Sequence, residues 1–328
     1  MTVAAIIPNF NGRHLLPTLL TSLTAQRERP DEIIIVDNAS TDGSAQYVRD
    51  VWPGVTLIAH HLNSGFSAAV NKGIASSATT YVALLNTDVE LDPSWLESLV
   101  QALDKNPGAG SAASKMVSWH DPTRLDGAGD KMTWSGIAVP RGHGQSDRGQ
   151  FDTDDFVFGA RAGAALYRRA ALRDVGLFDE DFFAFVEDVD WSLRAQLRGW
   201  SCRYASHAIA FHMGGATANP GERPSPQFYA MTRRNLVWTI IKDYPADALF
   251  RHAPSLLAAQ LILCLIAIRD GMTRAYIKGL LAAMVGIPRV LRKRRSVQKR
   301  RTVGRRELNL VMSPGLLPTR RRTRTGAR

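Results

Sequence analysis

Cysteine is nearly absent: Cys202 and Cys264 are the only two in 328 residues, and they lie far apart. Neither a disulfide framework nor a cysteine-rich metal centre follows from them, which suits a reducing compartment. No Gly-x-Gly-x-x-Gly follows any early apolar run, and no Walker-type Gly-Lys-Ser/Thr occurs. Those absences argue against a dinucleotide enzyme and a P-loop nucleotidase, and leave a metal as the agent that would hold a phosphate. The opening residues Met1 to Pro8 lack the basic region and long apolar core of a signal peptide, so the chain is expected to stay in the cytoplasm. Acid is missing from one end. Residues 289–328 hold 15 of the 41 Lys and Arg with a single acid, Glu307, so the net charge of +11 belongs to the tail and the remainder is slightly negative. A near-neutral body with a basic appendage fits an anionic membrane surface or a nucleic acid as partner.

At 45% hydrophobic and 22% charged, the chain has enough apolar residues for a substantial core, and its length suggests two structural units or one with an appendage. The apolar runs 3–7, 32–36, 55–59 and 81–85 read as strands, with helical leucine spacing or Ser/Thr/Asp helix starts between them. That alternation predicts a mainly parallel sheet with helices on both faces. The central stretch is Tyr81-Val82-Ala83-Leu84-Leu85-Asn86-Thr87-Asp88-Val89-Glu90, an apolar strand running into short polar residues. Ligands of open α/β sheets sit at such carboxyl ends, and Asp88 with Glu90 offers oxygen ligands for a hard cation such as Mg2+ or Mn2+. The alternative is that Asp88 caps the helix beginning near Pro93.

Residues 118–155 shift to Gly, Asp and Arg, as in Asp126-Gly127-Ala128-Gly129-Asp130, and are expected to form a mobile segment near the site. Small residues then accompany strand character at 158–167, and a short helix from Arg169 ends at Gly176. Phe178-Asp179-Glu180-Asp181-Phe182-Phe183-Ala184-Phe185-Val186-Glu187-Asp188-Val189-Asp190-Trp191 alternates acids with aromatics. If Glu187 starts a helix, Glu187, Asp190 and Trp191 share a face and Asp188 projects about 100° away. A carboxylate in such water-poor surroundings suits a general base, whereas helix N-terminal acids favoured by the dipole are the alternative. His212 ends an apolar run before two glycines; it is either a hydrogen-bonded structural residue or an extra metal or phosphate ligand.

Taken in order, Ile7-Pro8-Asn9-Phe10-Asn11-Gly12, Val36-Asp37-Asn38-Ala39-Ser40-Thr41-Asp42-Gly43-Ser44, Asn63-Ser64-Gly65-Phe66 with Asn71-Lys72-Gly73, Asn86-Thr87-Asp88, Gly176-Leu177-Phe178-Asp179-Glu180, Glu187-Asp188-Val189-Asp190 and His212 resemble the family 2 inverting glycosyltransferases of GT-A fold. The likeness spans roughly residues 2–245 and is closest to the bacterial rhamnosyltransferase-like branch. It implies a nucleotide-sugar donor, with Phe10, Asn11 and Asp37 around the base and ribose and Asn63, Gly65 and Asn71 near the nucleotide. Pro8, Asn38 and Asn86 complete that set. Asp88 resembles the main metal ligand of the family's Asp-x-Asp motif, whose first acid is replaced here by Asn86. His212 resembles the later metal or diphosphate ligand. Of Glu187 and Asp188, family usage favours Asp188 as the base that deprotonates the acceptor. Gln196-Leu197-Arg198-Gly199-Trp200 departs from the Gln-x-x-Arg-Trp of processive members, so one sugar per encounter is expected.

The resemblance thus implies a GT-A domain over 1–245, divided into a nucleotide-sugar half (1–117) and an acceptor half (118–245). Beyond it, 253–268 is uncharged but short of the roughly 20 residues of a spanning helix and interrupted by Gln260. Helices over 246–295, followed by basic residues, predict attachment to the anionic inner face of the membrane, where a polyprenyl-linked or other glycan acceptor would be met. Residues 296–328 are expected to be a largely disordered basic tail. Two other functions stay open: nucleotidyl transfer onto a sugar phosphate, and RNA binding by the tail. No nucleic acid is expected as partner, because the tail lacks stacking aromatics.

Overall fold

The computed structural model describes residues 1–214 and 225–316. Gly215 and the arginine-rich 319–324 lie outside the described residues. The first half alternates as the sequence pattern requires: β1 (Val3–Asn9), α1 (Leu16–Thr24), β2 (Glu32–Asp37), α2 (Ser44–Val51), β3 (Thr56–Ala59), α3 (Phe66–Ala75), β4 (Tyr81–Leu85), β5 (Val89–Leu91), α4 (Trp95–Asp104) and β6 (Ala109–Ser118). Then come β7 (Leu125–Ala128), β8 (Asp130–Thr133), β9 (Ala138–Pro140), β10 (Asp155–Val157), β11 (Ala164–Arg168), α5 (Arg169–Val175), α6 (Glu187–Leu197) and β12 (Ser201–His212). The chain continues through α7 (Pro226–Asp243), α8 (Ala246–Arg269), α9 (Thr273–Arg300), α10 (Arg305–Val311) and β13 (Met312–Ser313).

Ten strands form one sheet in the order β10-β12-β6-β11-β4-β1-β2-β3, with β5 joined to β12 and β7 to β6. Strands β3, β2, β1 and β4 are parallel, and β11 runs antiparallel between β4 and β6. Strand order reverses beside β1, so the carboxyl ends of β1 and β4 flank the crevice where such sheets bind ligands. Both faces of the sheet are covered, which is why its strands read as apolar runs without polar alternation. Ala5, Ile7, Ala83 and Leu85 pack toward α1, α2 and α4, whereas Ala4, Ile6, Val82 and Leu84 pack toward α3, α5 and α6. All five residues of β4 are fully buried, as the central position of that strand demands.

Three expectations are corrected. Residues 118–155 are not a long irregular segment: β7 extends the main sheet, and β8 and β9 form a second sheet with β13. Leu125, Met132, Thr133 and Trp134 are buried there, because the glycines serve as turns between apolar anchors. The disordered tail does not begin at 296. Helix α9 passes through that position to Arg300, and the chain then folds back, burying Leu308 and Met312 and pairing β13 in parallel with β8. A few apolar side chains, hidden in the charge count, are enough to anchor it. Nor is the basic run of α9 wholly available to lipid. Arg289 pairs with Asp181 at 2.9 Å, Lys293 with Asp181 at 2.7 Å and with Asp179, and Arg294 donates to the carbonyls of Ile241 and Tyr244.

Helix α9 packs along α7, where Gly286 lets its backbone meet the Trp238 ring and Trp238 Nε1 donates to the Ala283 carbonyl at 3.0 Å. Helix α8 lies beside α9, and the Gln260 that interrupts its apolar run accepts from the Tyr276 hydroxyl at its carbonyl (2.9 Å) and at Oε1 (3.1 Å). Among the described residues one helix, α8, is long and apolar enough to cross a membrane by length and composition. Its Leu257, Leu261, Leu265 and Ile268 are exposed, as are Ile277, Leu281, Met284 and Val285 of α9.

Candidate active site

Three groups of side chains meet at the carboxyl end of the sheet. The first lies beyond β1 and β2. Asp37 is buried, its Oδ1 accepting from Asn9 Nδ2 at 2.8 Å and its Oδ2 from the Ser40 amide at 3.1 Å. Asn11 takes a left-handed conformation (φ 53°) and its Oδ1 accepts from the Thr41 amide at 2.8 Å, while Phe10 stands exposed at the rim and Pro8 sits half-buried in β1. Asn38 braces the neighbouring loop: its Nδ2 donates to Asn63 Oδ1 and the Gly65 carbonyl, and its Oδ1 accepts from the Ser64 amide. Asn71 is also turned into the protein. Its amide donates to the Phe178 carbonyl at 2.8 Å and to Glu180 Oε1 at 2.9 Å, and its Oδ1 accepts from the Phe178 amide. Asn38 and Asn71, expected among the donor-contacting residues, therefore spend these groups on holding loops. A short polar side chain that matches backbone spacing is as useful for bracing a turn as for touching a ligand.

The second group is built on the end of β4. Asn86 begins the turn, its backbone amide donating to the Gly163 carbonyl at 2.8 Å. Strand β5 then pairs antiparallel with the end of β12, placing His212 opposite Val89, and the Met213 amide donates to the Asp88 carbonyl at 2.9 Å. His212 Nε2 lies 3.3 Å from Asp88 Oδ2, whereas Asp88 Oδ1 is buried without a partner. His212 Nδ1 faces Asp126 Oδ2 at 3.1 Å, and Asp126 also accepts from Arg161 Nη1 at 2.7 Å and faces His143 Nδ1 at 3.3 Å. Burial opposes ionisation of Asp126, but hydrogen bonds from His143 and His212 and the Arg161 charge outweigh it and hold the carboxyl well below the usual range. Burial likewise opposes protonation of His212, yet its bonds to Asp126 and Asp88 and their charges push it up to about 9.

A buried carboxylate oxygen lacking a partner, next to a histidine whose other nitrogen is oriented by a carboxylate, fits a divalent cation. No cluster of three or more His, Cys, Asp or Glu suited to a metal occurs among the described residues. Protein ligation would thus come from Asp88 and His212, leaving other positions to substrate oxygens and water, a division common for Mg2+.

The third group is the start of α6. Its acids part as helical geometry requires. Asp190 is fully buried, bonded to Arg194 Nε at 2.9 Å and facing Lys242 Nζ at 2.5 Å, so it belongs to the packing. Glu187 is buried too, and burial together with the Asp188 and Asp190 charges pushes it well above the ordinary carboxylate range. Asp188 is half-buried: Oδ2 accepts from the Ala162 amide at 3.2 Å and Oδ1 from the Val189 amide at 2.8 Å. Burial raises Asp188 above its usual value, with Arg161 and the backbone amides opposing. Beneath it lies buried Asp130, pushed up to about 7 by burial and the Asp188 charge. The turn before α6 is strained, since Phe183, Phe185 and Val186 all have φ near 65–71°. Such residues cost about 1–3 kcal/mol each and persist only where their surroundings impose them.

Arg161 joins the second and third groups, bonding Asp126 while its charge acts on Asp188 and Asp130. Asp126, Arg161 and Asp130 were not expected as site residues; the Asp-Gly-Ala-Gly-Asp run was the only local signal. The Gln196 to Trp200 segment is structural: Gln196 Nε2 donates to the Phe158 carbonyl, and Arg198 and Trp200 both bind Asp174.

Residues 4–176 match the family model described as glycosyl transferase family 2, and residues 132–291 match that of glycosyl transferase family group 2. An N-acetylglucosaminyl-diphospho-decaprenol L-rhamnosyltransferase of Mycobacterium tuberculosis is 29% identical over 228 residues, covering 61% of this chain and 72% of that protein. A pre-mycofactocin glycosyltransferase of the same species is 31% identical over 219 residues, 64% of this chain but only 42% of the relative's length. Among solved structures, a mannosyltransferase from Pyrobaculum calidifontis in complex with GDP-Man and Mn2+ aligns with a TM-score of 0.55 at 18% identity, covering 87% of this chain and 86% of its own. Staphylococcus aureus TarS in complex with UDP-GlcNAc aligns with a TM-score of 0.52 at 18% identity, covering 95% and 84%. At these identities the likeness establishes the fold. The chain is a glycosyltransferase of GT-A fold and belongs to glycosyl transferase family 2.

Proposed function

We propose that the protein transfers one sugar, with inversion, from a nucleotide-diphosphate sugar to a glycan or polyprenyl-linked acceptor in cell-envelope polysaccharide synthesis. The observation that carries this reading is the continuous contact from Asp88 through His212 and Asp126 to Arg161, whose charge acts on half-buried Asp188. Likeness to the mycobacterial rhamnosyltransferase supports dTDP-rhamnose as donor. Mg2+ or Mn2+ held by Asp88 and His212 would supply Lewis-acid neutralisation of the departing diphosphate.

In a single displacement the acceptor oxygen bonds to the anomeric carbon as the bond to the diphosphate breaks. The acceptor's proton passes to Asp188, and the electron pair of the broken bond leaves on the nucleoside diphosphate. Asp188 suits this task because burial raises its pKa while two amides keep the carboxylate aimed. Asp126 keeps His212 oriented, and Arg161 separates the Asp126 and Asp188 charges.

The test is incubation with Mn2+ and a panel of nucleotide-sugars, reading melting temperature and released nucleotide. A donor that binds the native state must raise its apparent stability. One donor should do so and yield nucleoside diphosphate, and Asp88→Ala should abolish turnover. Formation of nucleoside triphosphate and sugar 1-phosphate from that donor when pyrophosphate is added, the reverse of nucleotidyl transfer, would overturn sugar transfer.

The exposed apolar surface of α8 and α9 supports peripheral attachment at the inner face of the cytoplasmic membrane. Removal from membranes by carbonate is the expected result; a requirement for detergent would contradict it.

A further inference from the structure

The backbone directly ahead of Glu187 and Asp188 takes a positive φ at three residues that are not glycine. Phe183, Phe185 and Val186 all have a positive φ, Phe183 as the centre of a γ-turn (ψ −64°) and Val186 in the left-handed helical region (ψ −3°), and among the described residues only Asn11 and Ala39 otherwise have a positive φ without being glycine. A β-branched valine is especially ill suited to it. Something outside the turn must hold it.

We infer that Asn235 of α7, oriented by Arg234, is a positioning residue that holds this turn in its strained, positive-φ form and thereby sets Asp188 against the acceptor. Asn235 is fully buried, and its Nδ2 donates to the carbonyls of Phe182 at 3.0 Å, Ala184 at 2.9 Å and Phe185 at 2.7 Å. Two amide hydrogens serve three acceptors, so the carbonyls must converge on one point, and that convergence defines the turn. The amide cannot flip without loss. Its Oδ1 accepts from Arg234 Nε at 2.9 Å, and Arg234 Nη2 donates to the carbonyls of Phe182 at 3.0 Å and Asp181 at 3.2 Å. Arg234 is itself seated over the Trp238 ring at 4.4 Å.

The opposite side of the turn is held from the donor half. The Ser67 amide donates to the Phe183 carbonyl at 3.2 Å, and Gly65 leaves no space for a side chain, since a Cβ there would lie 2.6 Å from that same oxygen. The turn is therefore gripped between the start of α3, with Gly65 before it, and helix α7, with α6 and its acids as its outgoing end. Nothing in this arrangement requires Asn235 to touch donor or acceptor. Its effect is on where Asp188 stands.

The inference rests on Asp188 being the base, so Asp188→Asn is measured alongside. Asn235→Ala should bind the donor as the unaltered protein does and keep its KM for donor, while kcat falls on the order of 100-fold, the scale of a misplacement near 1 Å. Adding Val186→Gly should restore part of that loss, because glycine adopts the left-handed form without steric cost. A kcat within threefold of the unaltered protein, a parallel rise in donor KM, or no recovery on adding glycine would each overturn the clamp. If Asn235→Ala does not fold, Arg234→Ala replaces it, with a smaller fall in kcat at constant donor KM expected and an unchanged kcat decisive against. Turnover by Asp188→Asn near the normal rate would instead remove the base assignment itself.

Discussion

Asp126 lies at the centre of the site, yet its sequence neighbours mark it only as part of a glycine-rich turn. It holds His212 in place from behind, so Asp126→Ala should weaken Mn2+ affinity by about 10–100-fold, as loss of an orienting carboxylate does elsewhere. Titration of Mn2+ by calorimetry, with donor present, checks this. Asp188 illustrates the opposite case, a residue legible from helical spacing and then found where spacing placed it. A base must be ionised, so kcat/KM should fall as pH drops through the raised pKa of Asp188. Arg161 lowers that pKa, and Arg161→Gln should therefore move the acid limb of the pH profile to higher pH. A limb that stays in place would separate Arg161 from the base.

At the scale of elements, the β5–β12 ladder does what no local pattern announces: it brings His212 to Asp88 by ordinary backbone pairing. Helix α6 depends on a different device. Lys242 of α7 is buried between Asp179 and Asp190, at 2.6 Å and 2.5 Å. Removing a buried cation leaves its carboxylates uncompensated, and Lys242→Ala should cost about 3–5 kcal/mol, read from urea unfolding. The sign of the pH effect follows from Asp179. Burial raises its pKa, but the charges and hydrogen bonds of Lys242 and Lys293 outweigh this and hold it well below the usual range. Its pairing contribution is therefore complete above the ordinary carboxylate pKa and is lost as pH falls below it toward the depressed folded value.

At the scale of the molecule, α9 is fixed against α7, and α8 runs beside it with an open apolar face. Replacing Leu257, Leu261 and Leu265 by Ser should weaken partition to anionic vesicles. Half-burial of three leucines amounts to roughly 3 kcal/mol, on the order of 100-fold. Flotation with vesicles measures this, and turnover of a water-soluble acceptor should remain. Persistence of full vesicle binding would locate the contact elsewhere.

The strands, their parallel order of hydrophobic runs, the place of Asp88 just beyond the carboxyl end of β4 and the division of the acids at 187–190 were all legible in the chain, because period and burial are local consequences of residue type. The ordered 118–155 and 296–316 segments were not. Their anchors are single apolar side chains such as Met132, Leu308 and Met312, whose partners lie far away in sequence. The same holds for Asp126, Arg161 and Asn235. Each is an ordinary polar residue until a distant strand or turn supplies its partner, and that pairing is a property of the tertiary structure alone.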